Sequence, residues 1–145
     1  MEPRVYEYSC GSRWIAEHRG VSSSEGKSEI DIACPPEFGG HAGYWTPEHL
    51  LVLSVEVCVM TTFLALFEKR GGVLISYESQ TVGKASMRDW TFRFTDICVK
   101  PKIVVKGEKC VGLARESIER AAGECLISRS LKLRTVVRPT IESVA

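Results

Sequence analysis

The sequence lacks an excess of either charge. Nineteen Lys and Arg against 18 Asp and Glu leave a net charge of +1, with the two signs interspersed. That balance excludes the basic footprint of a nucleic-acid binder or of a protein held on an anionic membrane. It also lacks an apolar run after Met1, where Glu2 and Arg4 intervene, so no secretory signal is expected. The six cysteines (10, 34, 58, 98, 110 and 125) form no C-x-x-C pair, and none is spaced with a histidine as zinc ligands are. No metal site is therefore expected. A chain without a secretory signal is expected to be cytoplasmic, with its thiols reduced, so structural disulfides are the weaker reading. The question is which cysteines react. At 145 residues, the chain is expected to form one domain, 1–145, with a real core.

What the sequence does have is one long apolar stretch, Leu50 to Phe67, with clear signals at both ends. Thr46 suits an N-cap, Pro47 the first helical position, and Glu48 the positive end of the helix dipole. Lys69 and Arg70 suit the other end, and Gly71 or Gly72 can adopt the left-handed capping conformation. Apolar residues occupy every face of this helix, which predicts burial all round. A membrane span is disfavoured because Ser54, Glu56, Thr61 and Thr62 interrupt the run, and a carboxylate inside a bilayer is costly. Cys58 sits in the middle. Glu56, about 200° around the helix from it, points away and is expected to pair across a subunit interface or with a basic side chain.

Elsewhere, alternation predicts antiparallel strands in residues 4–33: Val5 to Tyr8, Arg13 to Glu17 and Ile30 to Ala33, with Val21 to Lys27 as a turn. Cys34 to Gly40, rich in Pro and Gly, stops the last of these, and His41 to Trp45 leads into the long helix. Val73 to Val82 reads as a strand with Val73, Ile75, Tyr77 and Ser79 on one face. Gly83-Lys84 begins a connection, Trp90 to Val99 is a strand, and Lys102 to Val105 extends it or forms another. A second helix is predicted over Lys109 to Gly123, with Arg115/Glu119 and Glu116/Arg120 spaced for i,i+4 pairing. Cys125 to Leu131 is a turn or short helix, Lys132 to Val137 the last strand, and Pro139 marks the tail.

This order gives an α+β fold with antiparallel sheets packed around a long buried central helix. One layer of strands covers one side of such a helix. A second subunit is the simplest cover for the rest, so a homodimer is expected.

Thr46-Pro47-Glu48-His49-Leu50-Leu51 leading to Cys58, then Cys125-x-x-Ser128 before a final strand, resemble the OsmC/Ohr family of osmotically inducible and organic-hydroperoxide-resistance proteins. The stretch from Gly26-Lys27 through Cys34-Pro35-Pro36-Glu37-Phe38-Gly39-Gly40 into Tyr44-Trp45 is most similar to the YhfA-like branch. The resemblance implies an intertwined homodimer and a thiol peroxidase, an antioxidant oxidoreductase of the stress response. Cys58 would be the peroxidatic thiolate and Cys125 the resolving thiol. A small organic hydroperoxide would be the substrate and a dithiol or protein the reductant, with no metal or organic cofactor. The family also uses a glutamate near the start of the central helix, here Glu48, and an arginine from the N-terminal region, here Arg19 first and Arg13 second.

Burial in an apolar helix raises a thiol's pKa, so Cys58 needs a nearby cation to attack as a thiolate. Glu48 and Cys58 lie ten positions apart, about 15 Å along the axis. If Glu48 serves the site through an arginine, a crossing helix from the partner is the natural geometry. His41 and His49 have no partner spaced for acid–base work and read as solvated or capping groups. Phe38, Tyr44, Trp45, Met60 and Phe63 are candidate pocket walls for an alkyl group, or equally core. Cys34 is the remaining cysteine expected to be exposed. Two other readings stay open: a dimer of the same fold that binds a small apolar ligand or senses redox state, and a purely structural dimer.

Overall fold

The computed structural model describes residues Met1–Ala145. Contacts divide the chain into two compact units, Met1–Leu50 and Leu51–Ala145.

In the first unit, strands β1 (Gly11–Ala16), β2 (Arg19–Ser23) and β3 (Ile30–Ala33) form an antiparallel sheet in that order. Val5 to Tyr8 joins no strand, and Ser22 and Ser23, expected in a turn, belong to β2, both pairing with β1 and Ser22 also with β3. The short hydroxyls allow this: Ser12 and Ser22 bond across the pair at 2.7 Å. A 3₁₀ turn over Pro36–Phe38 follows, closed by Gly39 at φ 81. Gly40 then packs so tightly on Cys34 that a Cβ would lie 1.5 Å from the Cys34 carbonyl oxygen. Trp45 is pinned to β3, its carbonyl accepting from the Ala33 amide at 2.9 Å and its amide donating to Asp31 at 3.2 Å.

This anchoring leads into α1 (Pro47–Lys69). The buried Thr46 caps it, its hydroxyl oxygen accepting the His49 amide at 3.1 Å. At the far end Gly71, at φ 83, donates to Glu68 and Gly72 donates to Phe67, both at 3.0 Å. Those two bonds are a Schellman stop.

The second unit carries β4 (Leu74–Arg88), β5 (Thr91–Lys106), α2 (Lys109–Glu124), α3 (Leu126–Ser130), β6 (Arg134–Val137) and β7 (Thr140–Val144). The α+β class holds, but this sheet is mixed: β4 is antiparallel to β5, while β6 and β7 are parallel to it. The α2–α3 crossover returns the chain to the same end of β5, which makes the next strand parallel. β7 lies in the segment expected to be tail. β6 ends at Val137 opposite Val99 and β7 begins at Thr140 opposite Lys102, so Pro101 falls where one partner hands over to the other. There its missing N–H breaks no ladder bond on that side, and β5 runs through unbroken.

β4 also continues past Gly83-Lys84, where a connection was expected. The turn comes at Asp89-Trp90, both at positive φ (50 and 66), as a two-residue hairpin loop of primed type requires. Gly83 serves a close approach instead. A Cβ there would lie 2.6 Å from Val52 Cγ2 and 2.9 Å from Phe94 Cε1. A register shift between Leu74 and Ser76 breaks the expected alternation, so Leu74, rather than Val73 or Ile75, packs against the core.

The core joins Val55, Val59, Phe63 and Phe67 of α1 to Ile97, Val99, Ile103 and Val105 of β5 and Ala114, Ile118 and Ala121 of α2. These α1 residues recur every four positions and form one stripe, so within this chain α1 is not buried all round. Leu53 (37 %) and Val57 (43 %) stay exposed. The helix is long and apolar enough to cross a membrane, but its Val55-to-Phe67 stripe lies at the centre of the core. Within the chain Glu56 forms no ion pair with a base; it accepts a hydrogen bond from the Thr81 hydroxyl of β4. On α2 neither expected i,i+4 pair forms. Glu116 reaches Arg70 at 3.0 Å, and Arg120 turns forward to Glu124 at 2.7 Å.

Gly83→Val should lower the unfolding free energy by about 1–3 kcal/mol, because the added groups must displace Val52 and Phe94. A urea melt reads this, and an unchanged midpoint would contradict the close approach.

Candidate active site

Cys58 and Cys125 meet in the second unit. Cys58 faces the core from the middle of α1 and is half-buried. Cys125 ends α2 and begins α3: its extended backbone (φ −59, ψ 129) breaks the helix, its amide bonds to Ala121 at 2.9 Å, and its carbonyl accepts from Arg129 at 3.0 Å. It has no solvent exposure. Sixty-seven positions apart in sequence, the two thiols share a hydrogen bond.

Their surroundings are unequal. Burial pushes the Cys58 thiol up, and its donation to Cys125 pushes it further; the Ile127 amide and the Thr62 hydroxyl only partly offset this. Burial also pushes Cys125 up, but hydrogen bonds from Cys58, from the Ser128 hydroxyl and amide and from the Ile127 amide outweigh it. The Ser128 hydroxyl lies 3.4 Å from Cys125 Sγ. Cys125 is therefore held below the ordinary thiol range, and the shared proton rests on Cys58. Thr62 and Ile127 were not singled out from the sequence. A signal existed, since Thr62 is one helical turn past Cys58.

Arg19, on β2, donates to the Tyr44 hydroxyl at 3.2 Å and to Glu17 at 3.4 Å, with its Nε buried and unpaired. Arg13 pairs with Glu29 at the surface at 3.1 Å. Glu48, in the first turn of α1, has one buried carboxylate oxygen without a partner. His49 bonds Thr46 at 2.7 Å as part of the helix cap, and His41 packs edge-on to Tyr44. Tyr44, Trp45 and His49 line an open pocket of about 260 Å³ in the first unit. Phe38 is exposed on its 3₁₀ turn, and Met60 is half-buried on α1. Phe63 has no exposure and stacks on Phe67 with ring centroids 5.2 Å apart, so it is a core side chain.

Of the other cysteines, Cys10 rather than Cys34 is exposed. The Cys34 thiol donates to the Phe38 carbonyl at 3.4 Å, held by the same Pro- and Gly-rich turn that was expected to display it.

Comparison with known proteins agrees with this architecture. The family model described as OsmC-like protein matches residues 40–140. An OsmC-like protein of Vibrio cholerae superposes with a TM-score of 0.86 at 18% identity, covering 94% of this chain and 100% of that one. An OsmC-like protein of Mycoplasma pneumoniae gives 0.78 at 16% identity, covering 94% and 98%. An organic hydroperoxide resistance protein of Legionella pneumophila gives 0.74 at 16% identity, covering 97% and 99%. No curated protein matches the sequence.

The unequal pair predicts two separated ionisations, one below and one above the ordinary thiol range. Titration followed by ultraviolet thiolate absorbance should resolve both. Ser128→Ala should move the first to higher pH, since a donor to Cys125 is lost; an identical titration would remove that hydroxyl from the account.

Proposed function

This chain belongs to the OsmC-like protein family, and on that premise we propose that it is a thiol peroxidase that reduces organic hydroperoxides through Cys58 and Cys125. The observation that carries the reading is the thiol pair itself: two cysteines in hydrogen-bond contact, one half-exposed and one sealed from solvent. Exposure gives the encounter with peroxide to Cys58, and burial gives resolution to Cys125.

The proton arrangement fits those roles. Cys125, held anionic by Ser128 and Ile127, accepts the proton of Cys58 across their hydrogen bond. The Cys58 thiolate attacks the distal peroxide oxygen, the O–O bond breaks, and the alkoxide leaves as an alcohol after taking the proton held by Cys125, which is a thiolate again. Cys58 becomes a sulfenic acid. The Cys125 thiolate then attacks the Cys58 sulfur, and hydroxide leaves as water once protonated. Two thiols and one hydroperoxide thus become a disulfide, an alcohol and water, and a dithiol or protein thiol reopens the disulfide.

In this reading the whole chain works as one OsmC-like domain and as a homodimer, whose partner covers the exposed Leu53 and Val57 of α1. Arg19 and Glu48 are positioning residues acting from the partner subunit, the guanidinium favouring the thiolate and the carboxylate holding the guanidinium. The unpaired Nε of Arg19 and carboxylate oxygen of Glu48 leave both with unused hydrogen-bonding capacity. Phe38, Tyr44, Trp45 and Met60 offer surface to the alkyl group of the substrate, which favours organic hydroperoxides over hydrogen peroxide.

One equivalent of cumene hydroperoxide should remove two of the six thiols rapidly and leave a Cys58–Cys125 disulfide by peptide mass mapping. Cys58→Ser should abolish the reaction, and Cys125→Ser, which also loses the base, should form a trappable sulfenic acid on Cys58 more slowly. Survival of all six thiols in excess peroxide would refute catalysis and favour a ligand-binding protein of the same fold. Leu53→Glu with Val57→Glu should yield monomers by analytical ultracentrifugation, with peroxidase activity largely lost; fully active monomers would remove the partner from the site.

A further inference from the structure

A cleft of about 700 Å³ opens in the second unit beside the β4–β5 hairpin. Three cations line it, Arg88, Arg93 and Lys132, and no carboxylate does; Leu51, Phe94 and Leu133 supply apolar wall. On a chain of net charge +1 this is a pronounced local excess. The arginines that form ion pairs are Arg13, Arg19, Arg70 and Arg120, so the three cleft cations are left without one.

Strand register makes the arrangement sharper. Ser86 lies opposite Arg93 and Arg88 opposite Thr91, which sets Arg88 and Arg93 diagonally on one face of the hairpin. Like charges so placed repel. Neither carboxylate adjacent in sequence to the lining, Asp89 or Asp96, lines the cleft, and Asp96 accepts instead from the Thr95 hydroxyl at 2.9 Å. Two neighbouring guanidinium groups suit an oxyanion, which each can bind through parallel N–H donors. The apolar wall beside them suits hydrocarbon.

We propose that this cleft binds an anionic amphiphile: a carboxylate or phosphate head against Arg88, Arg93 and Lys132, and a hydrocarbon portion along Leu51, Phe94 and Leu133. Neither Cys58 nor Cys125 lines the cleft, so the proposal stands whether or not the thiols are catalytic.

Calorimetric titration of the full chain with octanoate, octyl phosphate, octanol and inorganic phosphate separates the contributions. Saturable binding of octanoate, octyl phosphate or both is expected, with the tighter of the two identifying the head group. Octanol and inorganic phosphate should bind about ten-fold more weakly or worse, and added salt should weaken the anions. Arg88→Gln with Arg93→Gln, checked for an unchanged melting temperature, should cost about ten-fold in affinity. Lys132→Gln, in the bend before β6, should cost less in the same direction, and it decides the matter if the double variant does not fold. The proposal is overturned if neither anion binds saturably, if octanol binds as tightly as octanoate, or if all variants bind like the wild type.

Discussion

Val55, Val59, Phe63 and Phe67 hold α1 against the inward face of β5, and the positions of both thiols follow from that contact. With this stripe turned to the core, Cys58, one residue before Val59, falls at its edge, partly covered and partly open. Cys125 reaches the same core from the end of α2, whose Ala114, Ile118 and Ala121 pack into the same cluster. Removing Phe63 would therefore do more than leave a cavity, a loss of about 3–5 kcal/mol for a buried Phe. It would free the helix that aims one of the two sulfurs.

Placed so close, the two sulfurs cannot titrate independently, and the first turn of α3 decides which one ionises first. The Ser128 hydroxyl and the Ser128 and Ile127 amides favour charge on Cys125. Cys58 has the Ile127 amide and the Thr62 hydroxyl against burial and its own donation to Cys125. In the proposed peroxidase cycle, a buried, stabilised thiolate next to a half-exposed thiol serves first as the base and then as the resolving nucleophile.

Much of the fold was legible because its signals are local. Thr46-Pro47-Glu48 and Gly71-Gly72 mark the ends of α1 through caps that depend on neighbours within a turn. β7 was not legible, since its reason to form is β5, some 38 positions away and opposite it only in three dimensions. The Thr81 partner of Glu56 was not legible, because a hydroxyl 25 positions ahead carries no charge to advertise itself. The OsmC-like resemblance brought out Cys58 and Cys125 together. The direction of the proton between them was not readable, because it depends on amides of a five-residue helix that the sequence marks only as a turn.

The hairpin loop at Asp89-Trp90 leaves Trp90 94 % exposed, and the chain's other two tryptophans, Trp14 and Trp45, are exposed as well. All the indole fluorescence of a single chain therefore originates at its surface and none in its core. Its emission maximum should lie well to the red in the folded state and move little on unfolding. Quenching by an added solute should be efficient from the outset. The same indoles will respond to whatever comes to rest on the hairpin or on the N-terminal sheet, which makes them reporters of encounter and poor reporters of folding.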